Sequence, residues 1–196
     1  MIKNTYTVWG CLKLVFFVLR SKLISRKIRI IRFPIELRGA KYIDFGKSLT
    51  TGVGCRLEAF SDSKEKRLFF GENVQINDYV HISAMEKVVI GNHVLMASHI
   101  YISDNSHGYY KGELQSVPEQ APIKRAYYKA AVAIEDNVWI GEGVIIMPGV
   151  TIGKGSVIGA NSTVTKDIPP CSIAVGQPAK VIKKYDYNQK KWIAVR

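Results

Sequence analysis

A period of six organises this chain. Ile134, Ile140, Ile146, Ile152, Ile158 and Val164 follow one another at intervals of six residues, and a second register four residues on holds Val138, Val144, Val150, Ser156 and Ser162. Gly141, Gly153 and Gly159 come directly after three of the aliphatic positions. Upstream the spacing recurs as Phe70, Ile76, Ile82, Val88, then, displaced by two residues, as Ile90, Met96, Ile102, and more weakly as Leu37, Ile43, Leu49, Cys55. Six is neither the 3.6-residue period of a helix nor the two-residue alternation of a strand. A strand of about three residues plus a turn fills six positions and sends one large aliphatic side chain inward. Three such units close a triangular coil, and the next coil stacks on it by parallel pairing about 4.8 Å away. No unit buries its side chain alone, so the array is stable only as a stack. The expected fold is an all-β solenoid.

Between Ile102 and Ile134 the period fails. The interval carries SDNSHGYY at 103–110, then Pro118 and Pro122. A long polar and aromatic break of this kind predicts a loop near 103–131 that leaves the prism, and such loops usually carry function. The expected organisation is a hydrophobic and basic segment at 1–35, the solenoid at 36–184 and a tail at 185–196.

The 196 residues suffice for one such domain. The net charge of +12 is concentrated at the ends: residues 1–47 hold eleven Lys/Arg against Glu36 and Asp44, and residues 180–196 hold six against Asp186. Basic ends suit an anionic partner, whether cofactor phosphates, lipid headgroups or nucleic acid, or form a plain solvated surface. No helix-turn-helix, zinc-finger or RNA-binding pattern is present, so nucleic acid is not expected. Cys11, Cys55 and Cys171 are too scattered for a disulfide framework or a zinc site, which fits a reducing cytosol.

The run from Val8 to Leu19 is apolar except for Lys13, and its twelve residues are too few to span a bilayer. Arg20, Lys22, Arg26 and Lys27 follow where a signal peptide would need a small-residue cleavage site. The expected location is cytoplasmic. Two readings of the segment stay open: a helix on the inner-membrane surface, with Trp9, Phe16 and Phe17 toward lipid, or a helix packed on the protein itself or across a subunit interface.

The segments NVWIG at 137–141, PGVTIG at 148–153, VIGANSTVTKDIPP at 157–170 and VGQPAKVIK at 175–183 resemble the hexapeptide-repeat acyltransferases, in the galactoside and maltose acetyltransferase branch. The resemblance covers roughly residues 70–184 and is strongest toward lipopolysaccharide O-antigen O-acetyltransferases. It implies a left-handed parallel β-helix, acetyl-CoA as donor, a carbohydrate acceptor, no metal and a homotrimer. It implies that His107 is the catalytic base, a role imidazole suits because its pKa lies near neutrality. Asn77, in QINDYV, matches an acceptor-binding asparagine, close to His107 if stacked coils bring the two together. Asp104 is a weaker candidate for holding the loop or the acceptor. For CoA the resemblance implies Trp139, Gly141, Gly159 and Ala160 along the pantetheine, Thr165 and Lys166 near the nucleotide, and Lys180 and Lys183 at the phosphates. His81, His93 and His99 fall within repeat units and are expected to be outward or turn residues.

Two other functions share the scaffold: a three-histidine metal enzyme resembling the β-helix carbonic anhydrases, and a non-enzymatic prism used for assembly. The TKDIPP and GQPAK segments speak against the first, and the extruded loop against the second.

Overall fold

The computed structural model describes residues 6–195. Residues 1–5 of the N-terminal segment and Arg196 of the tail lie outside the described residues.

Helix α1 (Val8–Ile24) comes first, its end capped by the Thr7 hydroxyl, which accepts the Gly10 N–H at 3.1 Å. The helix is apolar on two opposite stripes. Leu14, Phe17, Ser21 and Ile24 turn to the body, where the buried Ser21 hydroxyl accepts the Ile31 N–H at 2.7 Å and the Phe17 and Phe33 rings meet at 5.8 Å between centroids. Val8, Trp9, Leu12, Val15, Phe16, Leu19 and Leu23 face away and are exposed. The packed stripe bears out the second reading in part, and Phe17, expected toward lipid, turns to the body instead; the other stripe is exposed in this chain.

The rest is a three-faced parallel β-helix. The first face stacks Ile30–Ile31, Thr50–Thr51, Gln75–Ile76, Leu95–Met96, Trp139–Ile140, Val157–Ile158 and Ser172–Gly176. The second stacks Ile35–Arg38, Cys55–Ala59, His81–Ala84, Tyr101–Ser103, Ile145–Ile146 and Thr163–Val164. The third stacks Ile43–Asp44, Leu68–Phe70, Val88–Ile90, Val132–Ile134 and Thr151–Ile152. Register alignment makes the aliphatic positions into ladders. Ile76, Met96, Ile140 and Ile158 pair in turn on the first face, and Leu57, Ile82, Ile102, Ile146 and Val164 on the second. Phe70, Ile90, Ile134 and Ile152 do so on the third, and these ladders form the prism's single core.

The corners between faces need left-handed backbone, which Gly and Asn adopt most readily. The corner from first to second face uses Gly54, Tyr79, His99, Gly143 and Asn161, and that from third to first uses Asn73, His93, Asn137, Gly155 and Cys171. His93 and His99 are thus turn residues, as their place in the repeats predicts.

Three boundaries differ from the sequence reading. The strand Ile30–Ile31 is already a rung of the first face, and Ile28 is fully buried, so the prism begins inside the 1–35 segment. At the other end Lys191–Ala194 pairs antiparallel with Ala179–Asp186, so the tail at 185–196 extends the first face. The Leu37 to Cys55 run also shifts: Thr51, not Leu49, pairs with Ile76, and Leu49 sits at the corner before it.

Candidate active site

The corner that leaves the second face is built differently from the others. Phe70 and Ile90 are successive rungs twenty residues apart, whereas Ile134 and Ile152 are eighteen apart. The two extra residues account for the displaced period and bulge the chain at 85–87. Three backbone N–H groups there point at one carboxylate. Asp104 accepts from Met85 at 2.8 and 3.1 Å, from Glu86 at 2.8 Å and from Lys87 at 2.7 Å, and it is fully buried. Its carbonyl accepts the Ala130 N–H at 2.8 Å, which closes the root of the extruded loop. Asp104 therefore holds the loop root; its carboxylate is occupied by these backbone N–H groups and by the Asn105 amide at 3.0 Å, and it does not face an acceptor.

Beyond Asp104 the loop starts as an antiparallel hairpin, Asn105–His107 against Tyr127–Lys129. His107 pairs with Tyr127, and their ring centroids lie 4.6 Å apart. The His107 ring is exposed, while its carbonyl accepts the Tyr110 hydroxyl at 2.6 Å. That hydroxyl accepts from Arg125 at 2.8 Å, and the same guanidinium reaches the carbonyls of Gln120 and Pro118 at 2.9 and 3.0 Å. Gly108 sits at φ +104°, and a Cβ there would meet the Tyr110 hydroxyl at 2.6 Å, so the tight turn after His107 requires glycine.

The second face supplies the floor. Strand alternation puts Arg56, His81 and Tyr101 outward in one row and Arg38, Glu58, Ser83 and Ser103 outward in the next. Glu58, Ser83 and Ser103 are nonetheless buried. The hairpin root roofs the serines through Asn105, which donates to the Ser83 hydroxyl at 3.3 Å and accepts from Ser103 at 2.9 Å. Glu58 is covered by its partners: Arg56 at 2.5 Å, Arg38 at 2.9 Å and His81 at 3.1 Å. Burial pushes the Glu58 carboxyl up, but the hydrogen bonds from His81 and Arg56 outweigh it and hold the group below the usual carboxylate range.

Two cavities flank the hairpin. The larger, about 650 Å³, lies over the floor and is lined by Arg56, Glu58, His81, Tyr101, His107 and Tyr127 among others. The smaller, about 280 Å³, is aromatic, with Tyr109, Tyr110, Tyr128 and Thr165 in its walls. Both are bounded by Ser106, Met147 and Pro148, so they meet beside His107.

The other expected site residues divide between two edges. Asn77 is exposed on the corner that begins the second face, whereas His107 lies past the corner that ends it, and Asn77 does not line the His107 cavity. Coil stacking thus does not bring the two together within one chain. Trp139 is exposed on the first face, Gly141, Gly159 and Ala160 lie at its corner, and Lys180 and Lys183 are exposed on the strand that extends it. Thr165 and Lys166 stand at the opposite end of the second face, beside the loop. Gly141 also has a packing reason: a Cβ would sit 2.6 Å from the Ala160 nitrogen of the next coil.

Sequence reasoning missed Glu58 and the Tyr110–Arg125 chain, and took His81 as merely outward. The alternation of Arg56 and Glu58 about the core residue Leu57 signals a polar face, but not that it is covered.

The family model for bacterial transferase hexapeptide repeats, six repeats long, matches residues 131–166. The chain is 44% identical over 192 residues, 97% of its length and 96% of the relative's, to the Escherichia coli (strain K12) protein named "Putative lipopolysaccharide biosynthesis O-acetyl transferase WbbJ". It is 37% identical over 133 residues to the galactoside O-acetyltransferase of Lactococcus lactis, covering 64% of this chain and 60% of that protein. In fold it is similar to AntD, an N-acyltransferase from Bacillus cereus, with a TM-score of 0.69 at 19% identity over 87% of this chain and 91% of the other.

Proposed function

The chain belongs to the hexapeptide-repeat acyltransferases, left-handed parallel β-helices, and from that premise we propose that it transfers acetyl from acetyl-CoA to a sugar hydroxyl of a lipopolysaccharide O-antigen or its lipid-linked precursor. His107 is the general base. The observation that carries this reading is the place of His107: an exposed imidazole in the wall of the larger cavity, with its neighbours Ser106 and Gly108 in the wall of the smaller one.

An alcohol is a poor nucleophile until its proton leaves. His107 takes that proton as the sugar oxygen attacks the thioester carbonyl. The resulting imidazolium returns the proton to the sulfur as the carbon–sulfur bond breaks, giving an acetyl ester and free CoA with no covalent enzyme intermediate. The Arg125–Tyr110–His107 hydrogen-bond chain fixes the backbone that carries the ring, which holds the imidazole for proton transfer. Thr165 in the smaller cavity, with Lys166 beside it, supports a donor on that side and an acceptor over the polar floor.

One CoA meets both Thr165 on one edge and Trp139, Gly159 and Lys180 on another when those edges come from neighbouring protomers. The same arrangement leaves Asn77 of a second copy as the candidate to complete the acceptor side of the His107 cavity. We therefore read the active assembly as a homotrimer; light scattering at threefold the chain mass supports it, whereas a monomer carrying full activity overturns it.

The outer stripe of α1, flanked by Lys13, Arg20 and Lys22, favours a peripheral seat on the anionic inner-membrane surface, where a lipid-linked acceptor is presented. Among the described residues no helix is long and apolar enough to cross a membrane.

The test supplies labelled acetyl-CoA with methyl glycosides of rhamnose, galactose and glucose, and with lipid-linked oligosaccharides. Label recovered as a base-labile sugar ester supports the reading. Label released only as acetate contradicts it.

A further inference from the structure

The larger cavity holds a second imidazole. His81 lies on the floor with 30% of its side chain exposed, and its Nε2 is 3.1 Å from the Glu58 carboxylate, of which only 5% is exposed. The ring of Tyr101 flanks it at 5.2 Å between centroids, much as Tyr127 flanks His107.

The chemistry of this pair is directional. An ionised carboxylate only accepts, so the His81 proton is on Nε2, toward Glu58. Nδ1 is then turned from the carboxylate, and in the neutral ring it carries a lone pair. Charge balance does not need this histidine. Arg56 and Arg38 already hold Glu58 at 2.5 and 2.9 Å, and Glu36 in turn holds Arg38 at 2.6 Å. A histidine added to a satisfied ion cluster, fixed in one tautomer and open to the cavity it shares with the base, is placed to read a ligand.

Resting on the acceptor reading above, we propose that His81, fixed by Glu58, is a positioning residue of the acceptor subsite. Its Nδ1 hydrogen-bonds a second hydroxyl of the sugar ring, which turns the hydroxyl to be acetylated toward His107. The acceptor class is accordingly a sugar with at least one further free hydroxyl, and blocking that hydroxyl lowers acceptance.

The experiment follows the ring 15N and 1H resonances of the histidines in the CoA-bound protein during titration with methyl rhamnoside, galactoside and glucoside. It is paired with kinetics of His81→Gln and Glu58→Gln on the sugar that titrates. The expected result is saturable movement of both His81 and His107. His81→Gln should raise the acceptor KM tenfold or more with the acetyl-CoA KM within about twofold, and Glu58→Gln should raise it by a smaller factor. Should Glu58→Gln fail to fold, His81→Gln decides alone, because it leaves the Arg38–Glu58–Arg56 cluster in place. Movement of His107 without His81, or equal change in both KM values, overturns this inference and leaves the parent reading standing. Movement of neither histidine with these sugars or with the lipid-linked oligosaccharides, with CoA bound, overturns the carbohydrate acceptor and this inference with it.

Discussion

Asp104 Oδ2 accepts the backbone N–H of Lys87 at 2.7 Å, and through this bond and its companions to Met85 and Glu86 the root of the extruded loop is locked to the coil beneath it. Asp104→Ala strands three backbone donors around a buried void. Each unsatisfied group costs about 1–3 kcal/mol, so the expected loss is about 3 kcal/mol or more in urea unfolding near neutral pH. Asp104→Asn keeps one acceptor oxygen and should lose less. An alanine variant of unchanged stability but weakened acceptor binding would return Asp104 to the role the sequence suggested.

Glu58 makes stability depend on acid. Its carboxyl in the folded protein lies below its ordinary 4.5, because the bonds from His81 and Arg56 overcome the burial that pushes it up. Stability from the ionised form is therefore fully present above that ordinary value and is lost as pH falls through the lowered one. As pH falls below the ordinary 4.5 the wild type should lose more unfolding free energy than Glu58→Gln. Parallel pH profiles for the two proteins would contradict the assignment.

Gly141 separates packing from cofactor binding. An alanine Cβ there would stand 2.6 Å from the backbone nitrogen of Ala160, so Gly141→Ala should destabilise the CoA-free protein by about 1–3 kcal/mol. Unchanged thermal stability with weakened CoA binding would assign the glycine to the cofactor alone.

Helix α1 should seat on anionic lipid. In a Trp139→Phe, Trp192→Phe background, Trp9 fluorescence should shift to the blue with phosphatidylglycerol vesicles at low salt, less so with phosphatidylcholine, and revert as salt rises. Leu12→Glu combined with Leu19→Glu should abolish the shift while the circular dichroism is kept. A lower oligomeric mass in that double variant than in the wild type, with no lipid response in the wild type, would make the outer stripe a subunit interface.

The prism was legible because its signal is local: Ile134 through Val164 state the period with no gap, and each rung needs one aliphatic residue. The loop was legible as the place where that period stops. What stayed hidden depends on pairing across coils. Glu58 and His81 are 23 residues apart and meet because an insertion at 60–66 lengthens one coil without changing the register of Leu57 on Ile82. The two-residue displacement at Val88 and Ile90 was visible as a number, but its purpose, three N–H groups gathered for Asp104, appears only in three dimensions. Asn77 and His107 looked like neighbours because a repeat position gives height in the stack and not the corner. The two stripes of α1 could not be told apart because both are apolar, and burial alone separates Phe17 from Phe16.

The most direct measurement is acceptor-dependent release of CoA from acetyl-CoA by the wild type and by His107→Ala, at saturating concentrations of both substrates. A base role predicts a fall in kcat of about 10² or more, with CoA affinity and unfolding free energy unchanged. A variant that turns over at the wild-type rate would move the base elsewhere in the cavity and contradict the account.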